Sequence, residues 1–374
     1  MVSLARKNLL HDRLRFVITV SGVAFAVTLV LVQVGLFMGL LGKSTVTIEN
    51  CNADLWVTSK ETPNVDFAHT FPETNVLRVR GVAGVERADN LIVQFMNIQL
   101  PNGAEEGSLV YALEDFGSWN LPWKVEGGAL ADLRRGNNLM MDASAERRYG
   151  PFALGEYREM LGRRFRIIGR THDAVSFTTT PIVFMDYKTA QEQLQTLQGK
   201  AHYILVKVAP GADLRAVAAE IRRRLPYNDV HTRGEWARRS RDYWVVSTGL
   251  GMNMGITVFL GILVGIVVVA QTLYTSAVEH VKEFGTVKAI GGSNWDIYRI
   301  LGEQALIAAC VGFVLGALIS FAMRPLMAKL YLTVLITPAF TGTVFLGTVL
   351  MCLGAAMLSF RRVAGIDPAL VFRA

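Results

Sequence analysis

"FVITVSGVAFAVTLVLVQVGLFMGLL", residues 16–41, carries no charged side chain along its length. Crossing the hydrocarbon core takes about 20 apolar residues as one helix, which satisfies its own backbone groups where water is absent. The run exceeds that length. It is also too long for the apolar part of a cleaved leader, and no small-x-small site follows Gly42. It reads as a retained anchor. Three further runs match it: Trp244 to Ala277, Ala305 to Met323, and Thr341 to Phe360. The second is longer than a span requires, so its membrane part is placed at Gly255 to Ser276. Together they lift the mean hydropathy of the chain to +0.33.

Lys and Arg beside the spans give the orientation, since they accumulate on the cytoplasmic side. Arg6, Lys7, Arg13 and Arg15 precede the first span; Lys282, Lys288 and Arg299 separate the second from the third; Arg361, Arg362 and Arg373 follow the fourth. Only Arg324 and Lys329 flank the turn between spans three and four. Both termini and the 279–303 segment are therefore expected in the cytoplasm. The Arg-rich stretch "RGEWARRSRDYW", residues 233–244, falls on the other side. It belongs to a large translocated segment, which the charge rule exempts. A net charge of +7 suits anchoring and contact with anionic membrane lipid better than nucleic-acid binding. Cys51 stands alone outside the membrane and Cys310 and Cys352 fall within spans, so no intrachain disulfide is implied.

The polar segment 43–242 is long enough for one or two compact domains. "ADLWVTS", "NLIVQFMNIQL", "SLVYALE", "RFRIIGR", "TPIVFMDY" and "HYILVKV" alternate or run apolar and read as strands. "DASAERRYG", "YKTAQEQLQTLQ" and "DLRAVAAEIRRRL" have helical spacing, the last with Asp213 as N-cap. The fold class is thus an α-helical membrane protein with four transmembrane helices and an α+β extracytoplasmic domain inserted between helices 1 and 2. The expected division is 1–15 cytoplasmic segment, 16–42 helix 1, 43–242 extracytoplasmic domain, and 243–278 stalk and helix 2. After these come the 279–303 coupling segment, 304–324 helix 3, 325–340 outer loop, 341–360 helix 4 and the 361–374 tail.

Catalytic and metal signatures are lacking. The sequence has no His-Glu-x-x-His, Cys-x-x-Cys or Gly-x-Ser-x-Gly, and His172-Asp173 reads as a solvated turn rather than a ligand pair. "GLLGKST", residues 39–45, imitates a phosphate-binding loop, but Phe37 occupies the position of its first glycine. The chain is expected to be a non-catalytic subunit with no catalytic residue, metal or cofactor of its own. The spans hold almost no ionisable groups, which argues against a proton-coupled pathway. Glycines four apart (Gly35/Gly39, Gly251/Gly255, Gly261/Gly265, Gly312/Gly316) permit close helix contact, within one subunit or between two.

"EHVKEFGTVKAIGGSNWDIYRILGEQ", residues 279–304, separates two spans yet is charged and doubly interrupted. Glu279, Lys282 and Glu283 extend the second span past the surface. Gly291 suits a left-handed C′ position, and Ser293 with Asp296 forms a capping box that restarts the helix. Trp295, Tyr298 and Arg299 then lie on its first turns. A partner contact is the preferred reading over an ordinary connection. On the outer side, Arg238, Arg239 and Arg241 with Tyr243 and Trp244 read as the foot of a stalk helix, the aromatics at headgroup level. A solvated helix face is the rival reading.

The 279–307 segment resembles the segment after the second span in FtsX-like permeases, the membrane subunits of MacB-, LolCDE- and DevC-type ABC transporters. Their pattern there is Glu-Arg-x-x-Glu-Ile-Gly-x-x-Arg-Ala-Leu-Gly-Ala-Ser. This chain supplies Glu279, Glu283, Gly285, Lys288, Ala289, Gly291 and Ser293, with His280 for the Arg, Phe284 for the Ile and Gly292 for the Ala. "NNLMMDASAERRYG", "LGRRFRIIGR", "FTTTPIVFMDY" and the ending "AGIDPALVFRA" resemble the same family, and the opening "ARKNLLHDRLRFVITVSGVAFAVTLV" leans toward its DevC-like branch. The resemblance implies a MacB-like periplasmic core and a bacterial inner-membrane location. It implies a separate ABC ATPase carrying ATP and Mg, which grips the coupling segment. It further implies a second copy of the chain as homodimer partner, and a periplasmic adaptor with an outer-membrane duct. The implied function is ATP-driven export or extraction of a substrate on the periplasmic side; the alternative is signalling that activates a cell-wall hydrolase without transport.

Overall fold

The computed structural model describes residues 13–281, 283, 285–286, 291, 293–330 and 332–363. Two compact units divide the chain, Leu40–Leu250 and the combination of Met1–Gly39 with Gly251–Ala374. In chain order, α1 (Arg13–Lys43) and α2 (Val46–Asn50) are followed by β1 (Leu55–Ser59), β2 (Phe71–Pro72), α3 (Asn75–Arg80), β3 (Val85–Gln99) and β4 (Glu105–Leu113). Next come β5 (Asn138–Asp142), α4 (Ala145–Tyr149), β6 (Tyr157–Met160), β7 (Arg163–Thr171), β8 (Ile182–Asp186) and α5 (Tyr187–Gln193). The inserted unit closes with β9 (Lys200–Ala201), β10 (Tyr203–Val208), α6 (Leu214–Arg224), β11 (Asn228–Thr232) and α7 (Arg233–Asp242). Three long helices remain: α8 (Leu250–Glu279), α9 (Asn294–Lys329) and α10 (Pro338–Val363).

In the inserted unit nine strands form one sheet, ordered β11-β1-β10-β3-β4-β8-β5-β7-β6. The long strand β3 organises it. Its first part pairs β10 (Leu91 opposite Tyr203) and its second pairs β4 (Leu91 opposite Leu113, through to Gln99 opposite Glu105). Its tip returns to β6, Ile98 opposite Met160, so that β3, β4, β8, β5, β7 and β6 close into a ring. The four strands β11-β1-β10-β3 stay open and antiparallel, and α3 and α6 cover one face with Val76, Val79, Val217 and Ile221. The chain order β1-α3-β3 and β10-α6-β11 makes this half a split βαβ arrangement.

Period two decides which core each residue enters. Leu91 and Val93, with Leu109 and Tyr111 of β4, face a core holding Trp56, Trp119, Phe184 and Trp236. Ile92, Val110 and Ala112 face the opposite way, toward Met141, Phe165 and Val183. Helix α6 starts where expected, Asp213 accepting a hydrogen bond from the Arg215 amide at 2.9 Å.

In the other unit, four helices have the length and composition to cross a membrane. Val23, Val27 and Leu31 of α1 share a buried core with Val269 and Leu273 of α8, Ala305 and Ala309 of α9, and Cys352 and Ala355 of α10. Large apolar residues such as Phe259, Leu318 and Leu350 stay exposed, as a lipid-facing surface requires. Three of the four glycine pairs are used inside the chain. A Cβ on Gly312 or Gly316 would lie 2.6 Å from Val23 or 2.7 Å from the Ala24 carbonyl. Gly265 is packed under Met351 and Ala26. Gly35 and Gly39 admit the extended segment after α9: the Leu335 amide donates to the Gly35 carbonyl at 2.8 Å, and a Cβ on Gly39 would stand 1.8 Å from the Thr333 carbonyl.

Two expected bounds differ. Helix α9 passes Pro325 and runs to Lys329, so the connection expected over 325–340 is shorter. Pro338 opens α10 as its first residue, where a missing N–H costs nothing, and the Thr337 hydroxyl accepts from the Phe340 amide at 3.3 Å. The stretch expected as the stalk is not one continuous helix with α8. A π-helical turn spans Tyr243–Ser247, and Gly249 adopts φ +71° before α8 starts at Leu250.

Candidate functional site

The end of α8 and the start of α9 build the coupling segment. Glu279, the last residue of α8, pairs with Arg15 of α1. His280 donates its amide to the Ser276 carbonyl at 3.1 Å, and its Nδ1 lies 2.9 Å from Glu283 Oε1. Where the family pattern has an Arg, this chain therefore has a His that partners Glu283, while the cation on Glu279 comes from α1. Opposite charges at matching ends of two apolar runs were the sequence signal for that pair. Gly285 is buried. Lys282, Lys288 and Gly292 lie outside the described residues.

Gly291 adopts φ +97°, with open space around the position a Cβ would take; its constraint is conformational rather than steric. Ser293 then caps α9 reciprocally. Its hydroxyl accepts from the Asp296 amide at 3.4 Å, and Asp296 Oδ2 accepts from the Ser293 amide at 2.8 Å. The first turns of α9 have two faces. Ile297 and Leu301 are buried against Ala277 of α8, while Trp295 is 75% exposed with its ring 6.3 Å from that of Tyr298. Arg299 reaches Glu303 at 3.5 Å and remains 76% exposed. The helix expected to couple to an ATPase is the leading end of α9, continuous with the third membrane-length helix.

The Arg-rich stretch belongs to α7, whose start is fixed by a second capping box between Thr232 and Glu235. Arg239 Nε donates to the Thr62 carbonyl at 3.1 Å, and Arg241 lies 3.6 Å from Glu49. Arg238 faces an open polar cleft with Arg222, Asp229, His231 and Asp242. Tyr243 and Trp244 were expected at headgroup level. Instead Trp244 is buried, its ring stacked on Phe177 at 3.9 Å and 14°, with Phe67 at 5.8 Å. Tyr243 meets the same Phe67 at 6.1 Å. The aromatics pack on the inserted unit because Phe177 and Phe67 offer matched rings.

Beneath this cluster lies Asp66, 6% exposed. Burial pushes its carboxyl up to about 7, against the Phe177 backbone N–H and the Tyr111 hydroxyl, which favour the ionised form. His202 is also buried; loss of water pulls its imidazole down to about 4, and its Nδ1 accepts from the Val93 amide at 3.2 Å. His172 Nε2 sits 3.2 Å from Glu126, whereas Asp173 pairs with Lys124. Among the described residues no group of three or more His, Cys, Asp or Glu is arranged to hold a metal. The Gly42-Lys43-Ser44 triplet ends α1, with the Ser44 hydroxyl donating to the Leu41 carbonyl at 2.7 Å.

Residues 16–224 match the family model described as MacB-like periplasmic core domain, and residues 255–368 match that of the FtsX-like permease C-terminal. An uncharacterised ABC transporter permease of Mycobacterium tuberculosis is 25% identical over 96% of this chain and 95% of its own. Another from Methanocaldococcus jannaschii is 27% identical over 47% of this chain and 46% of its own. The periplasmic region of MacB from Actinobacillus actinomycetemcomitans aligns with 50% of this chain and 92% of its own, at 13% identity and a TM-score of 0.40. Two matched domains in this order, joined to four membrane-length helices, make the chain a multi-pass ABC transporter permease of the MacB/FtsX type, belonging to the MacB-like periplasmic core domain family.

Proposed function

We propose that this permease transmits force rather than conducting a substrate. A separate ABC ATPase, carrying ATP and Mg, docks on the leading end of α9 at the cytoplasmic face. Its closure moves the extracytoplasmic domain, which exports or extracts a substrate on the periplasmic side of the bacterial inner membrane. Two copies of the chain and two ATPases form the working unit, with a periplasmic adaptor and outer-membrane duct beyond. The observation that carries this reading is the capped start of α9. One face is locked to α8 through Ile297, Leu301 and Ala277, while the other presents Trp295 at 75% exposure. A helix continuous from Asn294 to Lys329 moves as a body when its end is pushed. Among the described residues no Asp, Glu, Lys, Arg or His of the four long helices is buried, and proton or ion pathways through a membrane are built from such groups.

Trp295 is the anchor, since exposed aromatics dominate the centres of protein interfaces. Trp295→Ala should weaken ATPase binding by about 2 kcal/mol, roughly thirtyfold in Kd. Gly291→Val forces a β-branched residue to φ +97° and should uncouple hydrolysis from transport while the complex still assembles. Co-purification of the ATPase and its hydrolysis rate in lipid measure both. Wild-type binding and stimulation in the two variants would reduce the segment to a connection between spans. Intact ATPase coupling without substrate movement would favour the signalling role.

A further inference from the structure

One face of α8 carries a heptad seam. Asn253, Leu260, Val267 and Tyr274 recur every seven residues, and Thr257, Val264, Gln271 and Val278 repeat four residues behind them. In a two-stranded coil these are the d and a rows. Leu260, Val264, Val267, Tyr274 and Val278 are each 39–52% exposed. The other side of the helix, Gly261, Gly265, Val269, Leu273 and Ala277, is buried. Each row of the seam also holds one side-chain amide. Four such amides fall within the membrane-length helices, Gln33, Asn253, Gln271 and Gln304. Gln33 Nε2 donates to Met254 Sδ at 3.2 Å, and Gln304 is buried. Asn253 and Gln271 are exposed, and among the described residues neither side chain has a hydrogen bond. Five helical turns separate them, so they share one angular position about 27 Å apart along the axis.

This pattern lies in the membrane wherever the bilayer sits along α8. A crossing takes about 20 residues, and every window of that length within Leu250–Glu279 contains the stretch Leu260–Val267 and at least one of the two amides. Lipid tails offer an amide no partner, and an unpaired one in hydrocarbon is costly.

We propose that two copies of this chain meet through α8, packed in parallel about a two-fold axis, with each Gln271 amide bonded reciprocally to its counterpart and Asn253 doing the same. Identical chains insert with the same orientation, so an axis running along α8 sets every seam residue against itself. A primary amide carries both donors and an acceptor and therefore complements its own kind. Any other protein would need amides at two matching heights, whereas a second copy has them by identity. β-Branched residues at a with leucine at d favour two parallel strands, and a polar residue at a fixes their register. Val264 and Val278 stand at a, Leu260 at d, and Gln271 supplies the amide at a. The inference rests on the two-copy unit proposed above and names the face that joins it; ATPase docking plays no part in it.

The full-length permease in lipid vesicles provides the test. With Cys51, Cys310 and Cys352 replaced by Ala, single cysteines are introduced by Val264→Cys, Val267→Cys or Gln271→Cys in α8. Leu318→Cys in α9 and Leu350→Cys in α10 serve as controls at other exposed positions. Oxidation should cross-link two copies through the α8 positions and not through the controls. Energy transfer between wild-type chains labelled at the C-terminus, followed as the vesicles are diluted with lipid, gives the dimer dissociation constant without any cysteine replacement. Gln271→Leu should raise that constant about tenfold, the loss expected for one reciprocal amide pair. Gln271→Asn keeps the amide and should restore most of the affinity. Cross-links through Leu318→Cys or Leu350→Cys in place of α8 would assign the dimer to another face and overturn the inference, leaving the two-copy reading intact. A dissociation constant unchanged in Gln271→Leu would do the same. Monomers at every lipid ratio would overturn both.

Discussion

Replacing Asp66 by Asn should reshape the acid stability of the extracytoplasmic unit in a direction the structure specifies. The Asp66 carboxyl is raised from 3.8 to about 7 because burial penalises its charged form. Below pH 3.8 it is protonated whether the chain is folded or unfolded. As the pH rises toward 7, the unfolded carboxyl ionises first, so the native state binds the extra proton and stability falls. A shift of about three units at about 1.4 kcal/mol each makes this loss about 4 kcal/mol, a large fraction of the 5–15 kcal/mol typical of a domain. His202 works the other way. Its imidazole is lowered from 6.5 to about 4 by burial, so the stability it contributes is present above pH 6.5 and is lost as the pH falls to 4, by about 3 kcal/mol. The two slopes nearly cancel between pH 4 and 6.5.

Asp66→Asn keeps the shape and the acceptor for the Phe177 amide but removes the titration. The remaining groups beside it, Tyr111, Tyr203 and Cys51, are all pushed upward by burial and stay uncharged below pH 8. Full-length protein in nanodiscs is unfolded with urea between pH 4 and 8 and followed by tryptophan fluorescence, which reports the unit holding five of the six tryptophans. The advantage of the variant over wild type should grow by about 4 kcal/mol between pH 4 and 7 and then level off. Other titrating groups, including Asp142 and Glu220, are common to both proteins and cancel in the difference. A difference constant from pH 4 to 8 would show that Asp66 ionises normally and refute the reasoning.

Two further substitutions test the packing. Gly39→Ala would bring a Cβ to 1.8 Å from the Thr333 carbonyl; it should cost about 3 kcal/mol or more as overpacking against backbone. Loss of the docked segment should appear as new proteolytic cleavage near Lys329. Phe177→Ala removes the ring stacked on Trp244 at 3.9 Å and should destabilise the extracytoplasmic unit by about 3–5 kcal/mol. A red shift of Trp244 emission, compared with a Trp244→Phe control, would show the newly exposed ring.

What was legible in the sequence follows from how local each signal is. The four membrane helices were readable because an uninterrupted apolar run needs no partner to declare itself, and the caps at Asp213 and Ser293 because their bonds span two or three residues. Strands β5, β6 and β11 escaped. "NDVHT" and "YREM" carry too few apolar positions to alternate, and they count as strands only because β1 and β7 lie alongside. The start of β3, "VERAD", looked polar because Asp89 receives Arg80 at 2.8 Å, Arg87 at 2.6 Å and the Trp119 indole at 2.9 Å; a satisfied ion cluster hides a strand from a pattern built on hydrophobicity. Trp244 was misplaced for the converse reason. An aromatic beside an apolar run is equally at home in headgroups or on another ring, and only the fold brings Phe177 to it. The candidate site divides along the same line. Its turn and cap are written in consecutive residues from Gly291 to Asp296, whereas the groove lined by Trp295, Tyr298, Leu301, Leu353 and Met357 exists only because α9 and α10 meet. A mutation in the turn should therefore act through backbone conformation wherever the helices sit, while one in the groove should matter only when both walls are in place.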